Sequence, residues 1–558
     1  MKGDDRMQDE SVMNVEEKST SLCGGDIQIK KILSDTGDWI VDWSGVRRMS
    51  SRGRIETACT HPIVPVGRLN DVSTGMTKTK ILYCRRGQLW STIIVERGVL
   101  ASAKRIIALA DRGIAVTSNS APFLVDYLND MQERHYFDLE EELCVSNLGY
   151  VPNIGFAPYV KSILVDADVC FDSIYHAIAE AGDMETWINT AKACRAMSTE
   201  ARIMLAGSFA SPLISVVGAL PFYVHIWGVD SGTGKTVALM LAASVWGNPD
   251  LGKYIQTHNA TQVGQERIAA YLNQIPYCID ELQLASNGKG AANVDVYQLA
   301  QGVGRSRGKR VGGVETTLTW RCTFLSTGES PLTSNNAGAG AINRVIEIEA
   351  KPGRYIIKDG HKVSDELRHN YGFAGKLFVE KMFSSNEEQE AARESYRQNY
   401  SALVRMHITD KQAMAAATLL TADQLATKWI YEDENMLTCE DIYPYLASKS
   451  DVSAGKRAYD WLCGWVAANC HHFYRGTQIP QGTTYGVIKD AVACIIRPIF
   501  NQVLQNAGFS PNATLSYLRA NGLLIIRENK GYTKTKRING ITTDCVWLVY
   551  QMKEENNE

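Results

Sequence analysis

Long apolar runs are what this sequence most clearly lacks. A membrane-spanning helix needs about 20 consecutive apolar residues, and the nearest candidate, residues 206–227, is broken by serine, glycine and proline. The polar start, Met1-Lys-Gly-Asp-Asp-Arg6, leads into no apolar stretch of the secretory-leader kind. Charge of one sign is scarce too: 58 Lys and Arg stand against 61 Asp and Glu, for a formal net charge of −3. That excludes a chain whose whole surface is a polycation, and leaves nucleic-acid binding to local basic loops. The 13 cysteines form an odd count without repeated close pairs, which argues against a disulfide framework and for free thiols in a reducing interior. Cys463 with Cys470-His471-His472 is the one metal-like grouping. Its spacing is poor for tetrahedral zinc, so ordinary helical residues are expected there. Together these absences lead us to expect a cytoplasmic protein that makes no membrane contact.

What is present is ample core-forming material, 45% of 558 residues being hydrophobic, enough for two or three cores. Near the middle an apolar, β-prone run, Phe222–Trp227, is followed by Val229-Asp-Ser-Gly-Thr-Gly-Lys-Thr236 and then by the helix-like Val237–Trp246. Strand, glycine-rich turn and helix is the context in which backbone N–H groups and a helix N-terminus converge on phosphate oxygens. The expected nucleotide contacts are Ser231, Gly232, Thr233, Gly234, Lys235, Thr236 and Val237. The expected ligand is ATP with Mg²⁺, Lys235 reaching the β and γ phosphates and the Thr236 hydroxyl holding the metal. The usual pattern has glycine five residues before Gly234; here that position is Val229, with Gly228 just before it.

Downstream, the apolar run Ile275–Ile279 ends in Asp280-Glu281. Such a strand suits hydrolysis, with Asp280 ordering the metal and Glu281 orienting or deprotonating the attacking water. A second strand, expected over Leu318–Leu325, ends in Ser326-Thr327, polar residues placed to sense the γ-phosphate. Arg344 follows the glycine-rich patch 334–340 and opens another strand-like run. An arginine there suits either a neighbouring subunit's γ-phosphate or a structural ion pair. Between Glu281 and Ser326 lie 44 residues, more than a bare crossover requires. They include Gly302, Gly304 and Gly308 among Arg305, Arg307, Lys309 and Arg310. Glycines allow close approach and the four cations suit DNA phosphates. The rival reading is a subunit-interface loop, with Arg307 reaching a neighbour's nucleotide.

The rest of the chain divides around this core. Residues 1–26 are polar and acidic, a tail expected to be disordered. Residues 27–179 carry short alternating runs such as Trp39–Trp43 and Leu89–Val95, a β-rich α/β module with helices near 101–111 and 121–131. Its arginines 47, 48, 52 and 54 cluster at one turn, and a solvated face is the simpler reading of them. The ATPase core is expected over 180–380 and a helical region over 381–483. Residues 484–558 look winged-helix-like: a helix over Val487–Gln505, a second at Asn512–Arg519, then strands Leu523–Arg527 and Cys545–Tyr550 around a basic loop, Lys530–Arg537. Arg519, Lys530, Lys534, Lys536 and Arg537 are its candidate DNA contacts, against a protein-binding or purely structural wing. The fold class is thus α/β: a P-loop NTPase core of the AAA+/RecA-like kind, with a β-rich module before it and helical and winged-helix-like regions after it.

Several stretches together resemble a known family. They are His225-Ile-Trp-Gly228, the loop, Leu241–Pro249, Asn259-Ala-Thr261, Val263–Glu266, Ile279-Asp-Glu281 and Ser326–Glu329. Ile55-Glu-Thr57, Trp90, Ala110–Gly113 and Tyr371–Gly375 extend the likeness over about residues 27–380. The family is the helicase-like ATPases of phages and integrative elements, long catalogued as a domain of unknown function, with members in the replication modules of staphylococcal cassette and related mobile elements. Where that family has Gly-Lys before a basic residue, this chain has Gly304-Arg305-Ser-Arg307. The resemblance implies an ATP-driven homo-oligomeric ring, a hexamer, translocating on single-stranded or forked DNA, with a primase, polymerase or loader as possible partner. It makes a mobile-element DNA helicase the leading expectation. The alternatives are a helicase loader or protein-remodelling switch, and an antiphage defence ATPase.

Overall fold

In the first third, strands such as Trp39–Asp42 alternate buried and exposed residues, whereas Ile63–Asp71 is buried nearly throughout. The computed structural model describes residues 27–85, 89–281, 296–308, 316–333, 339–448, 452–526 and 531–550. The expected tail and the candidate residues Lys309, Arg310 and Lys530 lie outside those ranges. The chain divides into two compact units, Met1–Asp172 and Ser173–Glu558.

In the first unit, β1 (Trp39–Asp42), β2 (Gly45–Met49) and β3 (Ile55–Cys59) form an antiparallel meander. A mixed sheet follows in the order β10-β7-β4-β5-β6. Its strands are β4 (Ile63–Asp71), β5 (Thr77–Tyr83), β6 (Ser91–Glu96), β7 (Glu140–Val145) and β10 (Ile163–Val165). The hairpin β8 (Gly149–Val151) and β9 (Gly155–Ala157) stands apart from it. Helix α1 (Ala121–Arg134) buries Leu124, Tyr127, Leu128 and Met131, the i, i+3, i+4, i+7 stripe of an amphipathic helix. Two of the four clustered arginines are neutralised within the unit. Arg47 pairs with Asp42 at 2.7 Å, and Arg48 pairs with Glu56 at 2.7 Å and stacks on Trp39.

Early in the second unit come α2 (Met184–Met197) and α3 (Thr199–Val217), whose first turns are capped by the side chains of Asp183 and Ser198. Helix α3 has the length and apolarity to cross a membrane, but most of it is buried inside the unit. Its polar residues are satisfied there: Ser208 donates to the Ala242 carbonyl, and Ser211 accepts from the Thr323 N–H. Beside α3 lies a parallel sheet ordered β12-β13-β14-β11-β15. Its strands are β11 (Tyr223–Trp227), β12 (Gln256–Thr257), β13 (Tyr277–Asp280), β14 (Phe324–Gly328) and β15 (Val345–Glu349). The central strands are buried on both faces, which is why they read as unbroken apolar runs. The strand that feeds the glycine-rich loop, β11, therefore sits between β14 and β15, and β14 separates it from the acidic strand β13. Helix α4 (Lys235–Ser244) follows the loop, and α5 (Gln262–Leu272) follows β12.

One strand is displaced from its expected position. Residues 318–323 form only an isolated bridge, Val303 to Thr319, and β14 begins at Phe324. The Thr323 N–H and hydroxyl bond to Ser211 and Gly207 of α3 rather than to a neighbouring strand. Ser326 and Thr327 consequently lie within β14, not beyond it.

After the sheet come the long helices α6 (Asn386–Arg405) and α7 (Asp410–Ala426), α7 packing along α3. The C-terminal part holds α8 (Ala454–Ala468), α9 (Arg497–Asn506), α10 (Pro511–Ala520) and a sheet ordered β16-β17-β18-β20-β19. Its strands are β16 (Phe473–Arg475), β17 (Gly486–Lys489), β18 (Val492–Ile496), β19 (Lys534–Ile538) and β20 (Ile541–Val549). The helix expected over Val487–Gln505 is thus a hairpin followed by a shorter helix. Val487, Ile488, Val492, Ile495 and Ile496 favour strand, Asp490 turns the chain at φ +53°, and Pro498 fits the first turn of α9. Lys534, Lys536 and Arg537 lie in β19 rather than in a loop, and in place of a strand at Leu523–Arg527 the described residues show one bridge, Leu524 to Leu548. No group of three or more candidate metal ligands occurs among the described residues.

Candidate functional site

The parallel strands β11, β13 and β14 all end at one edge of the sheet, and each delivers a motif there. β11 delivers the glycine-rich loop. Gly232 and Gly234 take left-handed φ values of +75° and +93°, which L side chains adopt at a cost of about 1–2 kcal/mol. A Cβ on Gly234 would also lie 2.8 Å from both the N and the O of Ile357. Val229 is not among the positive-φ residues, and its side chain is 83% exposed. The close approach falls one residue earlier, where a Cβ on Gly228 would come within 2.9 Å of the Ala350 carbonyl oxygen. Lys235 Nζ curls over the loop and donates to the carbonyls of Gly228 (2.9 Å) and Asp230 (2.6 Å). Ser231 and Thr236 are exposed and Val237 half-buried. Thr233 is buried, and its hydroxyl has no hydrogen-bond partner among the described residues. The first N–H groups of α4 have no intrahelical partner by the geometry of any helix start. Together these donors form a cradle suited to an anion.

β13 ends in Asp280, which is buried and accepts hydrogen bonds from the Thr327 hydroxyl and, at 2.8 Å, from the Glu281 N–H. Glu281 itself stands at φ +61°, half-buried just past the strand end. A non-glycine residue held there carries local strain. Thr327 thus touches the acidic strand directly. Ser326 faces the other side of the sheet and donates to His225 Nδ1 at 2.7 Å, while His225 Nε2–H donates to the Ser330 carbonyl at 3.0 Å. Burial lowers the His225 pKa to about 4, so the ring is neutral, and the Ser330 carbonyl fixes the Nε2–H tautomer. His258, next after β12, is 2% exposed. Neither of its ring nitrogens has a partner among the described residues. Burial and then the nearby His225 push its pKa down to about 3. Sequence reading missed both histidines as site residues; the only available signal was a histidine inside the apolar strand that feeds the loop.

The two arginines considered for a neighbour's phosphate are engaged within the chain. Arg344 lies at the opposite edge of the sheet from the loop, its carbonyl accepting from the Tyr223 N–H at the start of β11. It is buried, stacks on Tyr297 at 4.4 Å and donates from Nη1 to the Gly340 carbonyl at 2.6 Å. Within this chain Arg344 is held by that stack and that carbonyl, and acting on a neighbour's phosphate would require releasing both. Arg307 Nη2 pairs at 2.6 Å with Oε2 of Glu266, a carboxylate on α5 with no exposed surface. Gln298 donates to Glu266 Oε1 at 2.7 Å and accepts from Arg305 Nε at 2.9 Å. The described half of the basic insert is therefore fastened to α5 by a buried charge.

In the C-terminal part, α9 and α10 form a helix-turn-helix around Ala507–Ser510. Lys534 and Lys536 share one face of β19 and lie over Trp547 at 4.6 and 5.6 Å, and Arg519 lies over Tyr532 at 5.7 Å. Arg537 is exposed and donates to the Gly540 carbonyl. These cations share one small helix-and-hairpin assembly with aromatic partners.

Comparison with known proteins gives two family matches. A family model described as "Domain of unknown function (DUF927)" matches residues 39–319, and one described as "Cch helix turn helix domain" matches residues 453–554. No curated protein matches. A solved structure described as "SCCmec type IV Cch - active helicase" is 19% identical, with a TM-score of 0.66, over 92% of this chain and 98% of that one. At that identity the likeness concerns the fold, an α/β architecture with sheet cores and a C-terminal helix-turn-helix region. Another, the apo C-terminal region of NrS-1, is 10% identical over 87% of this chain and 96% of its own, but its TM-score of 0.29 bears no argument.

Proposed function

The chain belongs to the family described as domain of unknown function DUF927, and from that premise we propose that it is an ATP-driven motor acting on DNA, a helicase or translocase of a mobile-element replication module. The observation that carries the reading is the convergence of three motifs at one edge of a parallel sheet. The glycine-rich loop, Asp280-Glu281 and the Ser326-Thr327 pair lie on β11, β13 and β14, with β14 in the middle. We read this as a P-loop NTPase core of the AAA+/RecA-like kind.

The residues fit MgATP. The loop N–H groups and Lys235 would take the phosphates, releasing Lys235 from the two carbonyls that now hold it. Thr236 would hold Mg²⁺, and Asp280 would bind it directly or through water. The ion would supply charge neutralisation at the phosphates. Glu281, at the strand tip, would orient the attacking water, and Thr327, bonded to Asp280, would report occupancy to the acidic strand. DNA contact is assigned to Arg519, Lys534, Lys536 and Arg537 of the C-terminal assembly. Assembly into a homo-oligomeric ring and a cytoplasmic setting complete the proposal.

A second reading, a loader or remodelling switch, draws on one observation: Arg307 is committed to a buried carboxylate rather than presented to a phosphate backbone. Strand displacement on forked DNA separates the two. The motor predicts displacement with ATP, none with a nonhydrolysable analogue and none by Lys235→Ala. A switch predicts ATP turnover without displacement.

A further inference from the structure

The segment after β15 runs alongside the glycine-rich loop and is fastened to it at successive points. The Ala350 N–H donates to the Trp227 carbonyl at 2.7 Å, and Ala350 abuts Gly228. The Ile356 N–H donates to the Thr233 carbonyl at 2.8 Å, and the Ile357 backbone abuts Gly234. From the other side, Ser198 at the start of α3 donates to the Ile356 carbonyl at 2.9 Å. Ala350, Ile356 and Ile357 are buried while residues 351–355 are exposed, so residues 350–357 form a strap anchored at both ends. One large apolar side chain on it is left outside: Tyr355 is 57% exposed and immediately precedes the residue bonded to Thr233. Val229, on the loop beside Gly228, is the second exposed apolar side chain along this contact.

We propose that the strap is the nucleoside side of the nucleotide site, with Tyr355 stacking on the purine base of the bound triphosphate. The inference rests on the nucleotide reading given above. The loop supplies N–H groups and a lysine, which recognise phosphate and ignore the base. A base attached to those phosphates extends past the loop, and the strap is the segment bonded to the loop at both its ends. An aromatic ring next to a backbone position bonded on two sides, at Ile356, offers a stacking face at modest ordering cost. Tyr355 stands exposed between an exposed arginine and two buried isoleucines, beside the strap's anchored end.

The test measures Mg²⁺-dependent binding of ATP and of inorganic tripolyphosphate, which shares the phosphates and lacks the base, to wild type, Tyr355→Ala and Tyr355→Phe. The alanine variant is expected to weaken ATP binding about tenfold, the effect of losing one base–aromatic stack. It should leave tripolyphosphate binding unchanged, and Tyr355→Phe should bind ATP as wild type does. Tyr355 is exposed, so thermal midpoints should agree among the three. Unchanged ATP affinity in Tyr355→Ala, or an equal loss for both ligands, would overturn the assignment while leaving the loop intact as a phosphate site. Failure of the wild type to bind either ligand would instead overturn the nucleotide reading, and this inference with it.

Discussion

Replacing Arg307 with alanine distinguishes a structural cation from one that works on a ligand. The pair Arg307–Glu266 has 31% of the arginine side chain exposed and none of the glutamate. Removing the arginine leaves a carboxylate fully inside the protein, with Gln298 as its remaining side-chain donor among the described residues. Breaking a buried pair costs about 3–5 kcal/mol. Because Arg307 reaches solvent and Gln298 remains, the expected loss is about 1–3 kcal/mol. Arg305→Ala truncates an exposed side chain and should change stability by about 0.5 kcal/mol or less. The deciding variant is Glu266→Gln. It keeps the shape, removes the buried charge and so removes the need for a countercharge. Denaturant midpoints of the single and double variants form a cycle. Arg307→Ala should unfold earlier, and adding Glu266→Gln should restore most of the loss. If Arg307→Ala keeps its midpoint while DNA-stimulated ATP turnover falls, and Glu266→Gln rescues nothing, the structural reasoning fails and Arg307 acts on a ligand.

Other outcomes follow from the same geometry. Lys235→Ala should abolish detectable ATP binding, whereas Glu281→Gln should bind ATP normally and release phosphate about 10²-fold more slowly or worse; normal turnover by Glu281→Gln would remove its catalytic assignment. His225 and His258 have folded pKa values of about 4 and about 3, below the ordinary histidine value of 6.5. The unfolded chain therefore binds more protons between pH 6.5 and those values, and stability should fall as pH drops through that window. His258→Phe should flatten part of the decline in thermal midpoint, and an unchanged pH profile would show that the ring is not buried neutral. Alanine at Lys534, Lys536 and Arg537 together should weaken DNA binding and make its logarithmic salt dependence shallower by about one for each phosphate no longer neutralised; an unaltered slope would move DNA binding off the wing.

The parts legible in the sequence were those fixed by neighbouring residues. The loop could be read because Gly232, Gly234 and Lys235 sit between an apolar strand and a helix, and their geometry depends on little else. Asp280 closing a strand was equally local. What escaped depends on distant partners. Thr323 leaves the strand pattern because α3 offers it Ser211 and Gly207. Arg344 is buried because Tyr297 lies beneath it, 47 positions away in sequence. The helix anticipated over Val487–Gln505 failed differently: the apolar spacing there fits a helix nearly as well as a hairpin, and the β-branched residues, the turn at Asp490 and Pro498 decide between them. The strap beside the loop carries no motif at all, since its hold on Thr233 is made by backbone atoms.

The shifted glycine bears on how such loops are recognised. A search that demands glycine at a fixed place five residues before Gly234 would discard this chain, because Val229 stands there. The requirement is set by close packing: the backbone of Ala350, just past β15, presses against residue 228, while residue 229 faces solvent. Exchanging the two, Gly228→Val with Val229→Gly, would restore the familiar spelling and drive a side chain into the Ala350 carbonyl. The better-looking string would belong to the worse loop.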